Sequence, residues 1–489
     1  MILTILLLPV FAGIITFLLK NARIRRGLLV LTATGHTILT CQMVLHRPDP
    51  AMGGWLLLDS IGVIFLSITS VLFLAVSVYA VGFLANEGTD TRIDFEEEGL
   101  FFNQPEKVFI GGLLFFLSSM TLVTLSQHVG LLWLAIETTT LMSAPLIYFH
   151  RHHRSLEATW KYLMVCSVGL GLALLGNLLF MMASADIDHS DASMILGQIV
   201  IQAANWHPLW LQAAFIFILI GYGTKMGLAP MHTWLPDAHS ESPSLVSALM
   251  SGALLNCAFL GILRFQQILV AAGLGNFANN LLLIFGLFSM AVASIFVIGQ
   301  PNFKRLLAFS SVEHMGILSM GVGIGGSAVY GAMLHSVNHS LIKATLFMVA
   351  GNFIQIFKSK QATDVKGALY ISPMNALFWI IGILALTGSP PFGLFISEFI
   401  ILFGAIEQDF YWVAAVYLGI LGIIFTAMTA IIIPMVQGKP SFEGPYSKES
   451  WTSLMPPAAL GMVVLLLGIY VPPFLAERLQ DAAWVLGGG

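Results

Sequence analysis

The chain has 489 residues, 57% of them hydrophobic and only 9% charged, against about 25% charged in an ordinary soluble protein. That balance excludes a water-soluble globular domain and points to an all-α polytopic membrane protein. The formal net charge of -4 says little about partners, because the charges fall in short loops, and no nucleic-acid partner is expected.

The first apolar run, Ile2 to Leu19, has no basic residue before it and Lys20, Arg23, Arg25 and Arg26 after it. A cleaved signal peptide has the opposite order, so this run is expected to remain as the first helix. The hydropathy pattern predicts about fourteen spans: 2–20, 27–46, 57–86, 108–126, 128–149, 161–183, 209–231, 243–267, 280–299, 305–326, 328–357, 374–402, 411–434 and 455–476. Runs as long as 57–86 imply tilt or extension beyond the hydrocarbon.

If the first loop is cytoplasmic, sixteen of the 21 basic residues lie on inner loops and only Arg47, Arg264 and Arg478 on the outer side. The remaining two, Lys225 and Lys343, fall inside spans. This asymmetry places both termini on the outer side. The loop Glu87 to Lys107, with Glu96-Glu97-Glu98 at its centre, reads as a solvated acidic loop on the cytoplasmic face. Cys41, Cys166 and Cys257 lie far apart in apolar runs, with no spacing for zinc, an iron–sulfur cluster or a disulfide, and read as small buried side chains.

Four regions follow: 1–107 with the first three helices and the acidic loop, 108–267, 280–434, and 455–489 with the last helix. The two central regions are blocks of five spans, and an odd number of crossings makes the second inverted relative to the first. The fourth span of each block is interrupted, by Gly221 to Pro230 in the seventh helix and by Gly388-Ser389-Pro390-Pro391-Phe392-Gly393 in the twelfth. Paired interruptions are a sequence pointer to an inverted-repeat transporter and its ion path.

Lys225 follows an apolar run and sits among glycines before Pro230. A lysine there is expensive, which marks it as a buried titrating relay group, the proton being the favoured cargo. The alternative is a lysine snorkelling from a helix end. Glu137, mid-span on the fifth helix, is expected to pair with Lys225, so that separating them releases the lysine's proton; alone it would be protonated and bonded to a carbonyl. On the eleventh helix His335, His339 and Lys343 stand at i, i+4 and i+8, on one face over about 12 Å. Histidine suits a relay. Two histidines at i, i+4 also suit a metal, but no third ligand is evident, so no metal is expected.

Glu398, beside the twelfth-helix interruption, would end the second half-channel towards the outer side. Its alternative is a carboxylate favoured by a helix start. His232, Asp237, His239 and Glu241 follow the seventh helix and form an inlet or a turn. Glu313 and His314, one to two turns into the tenth helix, suit a relay or a structural role. Asp59, near the outer end of the third span, reads as wet.

At these residues the chain resembles the antiporter-like subunits shared by respiratory complex I, Mrp-type cation/proton antiporters and energy-converting membrane hydrogenases. Lys225-Met-Gly-Leu-Ala-Pro-Met-His-Thr-Trp-Leu-Pro-Asp-Ala-His239 is similar to the family's seventh-helix signature, Lys304 to Ser311 to its tenth-helix start, and His335/His339/Lys343 to its eleventh helix. The resemblance covers about residues 57–434 and implies fourteen helices, a charged Glu137–Lys225 pair, a central relay through His335, His339 and Lys343, and an outer exit at Glu398. One departure stands out. Many members carry lysine or histidine on the eighth helix where this chain has Asn256, which leaves the link between halves to water or to a neighbour such as His314.

The stretch His239 to Gly252, followed by Asn256, looks most like component F of hydrogenase-4 type complexes. The resemblance implies a proton-translocating subunit of a redox-driven complex in a prokaryotic inner membrane. Other membrane subunits would flank it, and nickel–iron or iron–sulfur proteins would act on it indirectly. No cofactor is expected on this chain, which has no cysteine cluster and no dinucleotide fingerprint. The alternatives are an Mrp-type sodium or potassium/proton antiporter subunit and the membrane module of an inorganic-carbon uptake complex.

Overall fold

The structure is a computed structural model that describes residues 1–87, 92–93, 99–184, 194–440 and 449–488. The Glu96-Glu97-Glu98 cluster expected on the cytoplasmic side lies outside the described residues, as does Lys448. The backbone on either side of that cluster makes one short antiparallel pair, Arg92–Ile93 with Leu100–Phe101.

Among the described residues, twelve helices are long and apolar enough to cross a membrane. With the shorter Ile2–Leu18 and the interrupted helix that begins at Pro373–Leu386, they match the fourteen spans read from the sequence. Arg26 of the second helix holds Glu106 at the start of the fourth through a 2.7 Å bond. Helices meet where a side chain is missing. A Cβ on Gly221 of the seventh helix would lie 2.5 Å from the Gly169 carbonyl of the sixth, and one on Gly169 would lie 2.7 Å from Thr224. Small residues at such crossings let backbones approach where lipid offers no hydrophobic driving force. The outer faces carry exposed Leu, Ile, Phe and Trp side chains such as Phe11, Leu31, Trp160 and Phe399, as a lipid-facing belt requires.

Both expected interruptions are present, though the first begins at Gly227 and not at Gly221, which is still helical. The seventh crossing runs as Pro208–Met226 and resumes as Trp234–Glu241. Gly227, at φ 86°, takes the left-handed conformation that ends the first piece, and the Leu228 N–H caps the Gly223 carbonyl. The Trp234 indole donates to the Thr224 carbonyl at 2.8 Å, so the broken end keeps its hydrogen bonds away from water. The twelfth crossing ends at Leu386, turns through Gly388 at φ 65°, and resumes as Gly393–Glu407.

Three features were not expected. The eighth crossing, Ser244 to Ala271, contains a π turn at Met250–Leu254. A short helix, Leu196–Gln202, precedes the seventh crossing, and Pro473–Val485 follows the fourteenth, Trp451–Ile469. Three placements need correcting. Arg264 is not on an outer loop but 1% exposed within Leu255–Ala271. It donates to the Thr124 carbonyl at 3.0 Å and to Asp59 at 3.3 Å. Asp59 is therefore not simply wet: it caps Ser60–Asn86 by accepting from Gly62 N–H and neutralises the arginine. Cys166 and Cys257 are buried, whereas Cys41 faces outward from the second helix.

Candidate functional site

Lys225 is fully buried and stands in the last turn of Pro208–Met226, where the negative end of the helix dipole favours a cation. Its ammonium donates to Thr140 Oγ1 at 2.9 Å and to the Tyr162 hydroxyl, which in turn lies 2.6 Å from Ser143 Oγ. Glu137 sits one turn before Thr140 on Val129–Ile147, half-buried, with the Ser167 hydroxyl beside it. Glu137 and Lys225 therefore belong to one polar cluster, but neutral hydroxyls, not the carboxylate, hold the ammonium.

Asn256 lies just past the π turn of the eighth crossing, 1% exposed. Its amide donates to the Gly252 carbonyl at 2.9 Å and to Ser340 Oγ at 2.7 Å. Ser251 in the same turn meets Ser311 at 2.8 Å. The eighth helix is thereby tied to the tenth and eleventh at the position where the sequence suggested a link. Among the described residues no hydrogen bond joins the Lys225 cluster to Asn256.

His335, His339 and Lys343 stand on one face of Ser327–Phe357 and are all fully buried. Lys343 donates to the Leu307 carbonyl at 2.6 Å and to Ser310 Oγ. Glu313 and His314 lie about three turns into Phe303–Ile324, deeper than the one to two turns expected, and are 3% and 1% exposed. Lys343, His339, His314 and His335 then form a run. The His314 ring is 4.9 Å from that of His339, and its Nδ1 lies 2.9 Å from His335 Nε2. His335 Nδ1 lies 3.0 Å from Ser397 Oγ.

Next to Ser397, Glu398 is 6% exposed. Its Oε2 lies over the bare backbone of Gly388, where a Cβ would come within 1.9 Å. A groove of about 330 Å³, lined by Thr387, Gly388, Pro390, Phe395 and Tyr417 among others, opens on Glu398. The sequence suggested no third ligand for His335 and His339; the group that does come together leaves His339 out, with His314, His335 and Glu398 placing one donor atom each within 4.8 Å of one another.

The residues after the seventh helix divide by role. Asp237 is held by Arg305 at 2.7 Å and Lys161 at 3.0 Å, an ion-paired turn. Glu241 pairs with Lys360 at 2.8 Å and lines a pocket of about 110 Å³ with Lys304, His150 and His152. His232 is nearly buried between Phe296 and Phe309. His239 is fully buried, with its ring stacked 5.1 Å from Phe347 and neither nitrogen hydrogen-bonded among the described residues. The sequence reading missed Thr140, Tyr162, Ser310 and Ser397. Thr140 and Ser310 stand beside other hydroxyls (Thr138 and Thr139; Ser311), Tyr162 follows Lys161 and Ser397 precedes Glu398, so only the partner on another helix singles each of them out.

Residues 126–426 match the family described as NADH:quinone oxidoreductase/Mrp antiporter, transmembrane. The chain is 34% identical to a hydrogenase-4 component F homolog of Methylacidiphilum infernorum (isolate V4) over 447 residues, covering 91% of each. It is 29% identical to Na(+)/H(+) antiporter subunit A1 of Staphylococcus aureus (strain JH9), covering 92% of this chain and 56% of that longer relative. Its fold is similar to a chain in the structure of the membrane-bound sulfane sulfur reductase, an archaeal respiratory membrane complex. That match has a TM-score of 0.87 at 19% identity and covers 99% of this chain and 97% of the other.

Proposed function

Because this chain belongs to the NADH:quinone oxidoreductase/Mrp antiporter transmembrane family, we propose that it is a proton-translocating, antiporter-like membrane subunit of a redox-driven complex of the hydrogenase-4 or formate-hydrogenlyase kind. The observation that carries this reading is the set of fully buried ionisable side chains Lys225, His335, His339 and Lys343 within apolar helices. Neutral side chains would hold the helices together at far lower cost, so charges kept at that depth serve transport.

In the first half, Lys225 holds a proton against Thr140 and Tyr162. A shift of the ammonium relative to Glu137 changes its electrostatic support and hands the proton on. In the second half, Lys343 passes it along His339, His314 and His335 to Glu398, each imidazole taking a proton on one nitrogen and giving it up from the other. Asn256 and Ser340 supply the polar contact between helices where the halves meet.

Redox chemistry resides on partner chains, with nickel–iron or iron–sulfur proteins acting at a distance and other membrane subunits flanking this one. The regions 108–267 and 280–434 act as the two inverted halves. The chain sits in the inner membrane of a prokaryote with both termini outside. A second reading, sodium/proton exchange, is favoured by the match to the staphylococcal antiporter subunit across 92% of this chain.

The test is proton uptake by the native complex in sealed liposomes, driven by its own electron donor. Lys225→Ala and Lys343→Ala complexes that assemble are expected to transfer electrons without acidifying the lumen. Full proton flux in both would sink the relay. Flux that requires sodium in the wild type selects the second reading.

A further inference from the structure

His314, His335 and Glu398 come from the tenth, eleventh and twelfth crossings, and each is nine-tenths or more buried. One donor atom of each lies within 4.8 Å of the others. Zinc binds imidazole nitrogen and carboxylate oxygen at about 2.0–2.2 Å, which sets neighbouring ligand atoms about 3.3 Å apart in a tetrahedral site. His314 Nδ1 and His335 Nε2 are already 2.9 Å apart, so a small parting of the two rings admits the ion.

Two further observations fit. His335 Nδ1 is held by Ser397 Oγ at 3.0 Å, which leaves Nε2 to face the cluster, as an outer partner of a ligating histidine does. Glu398 Oε1 is buried and has no hydrogen-bond donor among the described residues.

We propose that His314, His335 and Glu398 form a zinc-binding site with one open position, and that zinc held there arrests the proton relay. Binding takes the lone pairs of two neighbouring imidazoles and the Glu398 carboxylate, and any proton on them leaves for solvent, so affinity rises with pH. His339, whose nitrogens have no hydrogen-bond partner among the described residues, stays outside the donor group, its ring 6.5 Å from that of His335. The binding half stands by itself; the arresting half rests on the proton-relay reading above.

The probe is zinc alone, added to the native complex after chelator treatment and counted after desalting. The wild type is expected to retain one zinc more per complex than His314→Gln, His335→Gln or Glu398→Gln. His207→Gln, on the loop before the seventh crossing, is expected to match the wild type. Absorption at the zinc edge should report two imidazoles and a carboxylate. Equal zinc content in the wild type and the ligand variants, or an edge spectrum without imidazole, overturns the site.

Should those variants fail to assemble, Ser397→Ala keeps all three ligands. It is expected to bind zinc about tenfold more weakly, the usual effect of losing an outer-shell partner; unchanged affinity overturns the geometry. Proton flux is read separately. Zinc that binds as described yet leaves flux unaltered refutes the arrest alone, and a complex that moves no protons still answers the binding question.

Discussion

The two buried lysines are held in different ways. Lys225 stands at a helix end created by an interruption, so the dipole of its own helix supports the charge and two hydroxyls from neighbouring helices complete its shell. Lys343 stands mid-helix with no such end, and the tenth helix lends it the Leu307 carbonyl and Ser310 instead. Each has an acidic neighbour, half-buried Glu137 for Lys225 and buried Glu313 for Lys343, but Lys343 also heads a run of three buried histidines that leads to Glu398. On the proposed relay, the Lys225 cluster holds and releases one proton and the Lys343 run carries it over a distance.

Breaking either lysine gives the largest expected effect. Lys343→Ala and Lys225→Ala should each lower proton flux per electron by about tenfold or more in assembled complexes, because a buried relay charge has no neutral substitute. Lumen acidification by a trapped dye measures it. Next, Glu137→Gln combined with Lys225→Ala should depart from additivity by about 1 kcal/mol in flux, the size expected for coupled groups in one cluster. Additive losses would mean that Glu137 works independently of the lysine, with Thr140 and Tyr162 sufficient for it.

The interruptions sharpen the contrast at smaller scale. Gly388→Ala forces a side chain into a φ of 65° and onto the Glu398 carboxylate at 1.9 Å. It should lower stability by about 1–2 kcal/mol from the left-handed backbone and also displace Glu398, seen as a lower melting temperature together with reduced flux. Gly227→Ala has a φ of 86° but meets only the movable tip of Leu235 at 2.4 Å, so it should destabilise comparably while sparing the second half. Asn256→Ala is the mildest. It removes the Ser340 hydrogen bond, worth about 1 kcal/mol, and a thermal melt of the complex reads the loss. A collapse of flux without a stability change would instead make Asn256 a link in the relay.

The number of crossings, the existence of an interruption in the seventh and in the twelfth, the buried Lys225 and the one-faced row His335, His339, Lys343 were all legible in the sequence, although the first break starts at Gly227, six residues later than expected. Each depends on local facts: length of an apolar run, a glycine or proline at a helix end, and the 3.6-residue period. Tertiary structure decided the rest. Tyr162 reaches Lys225 across 63 residues of sequence and Ser397 reaches His335 across 62. Arg264 reaches Asp59 across 205. A hydroxyl or a charge inside an apolar run shows that a partner is needed. Which helix supplies that partner depends on rotation and depth, and those are set when small residues such as Gly169 and Gly221 let particular helices close on one another.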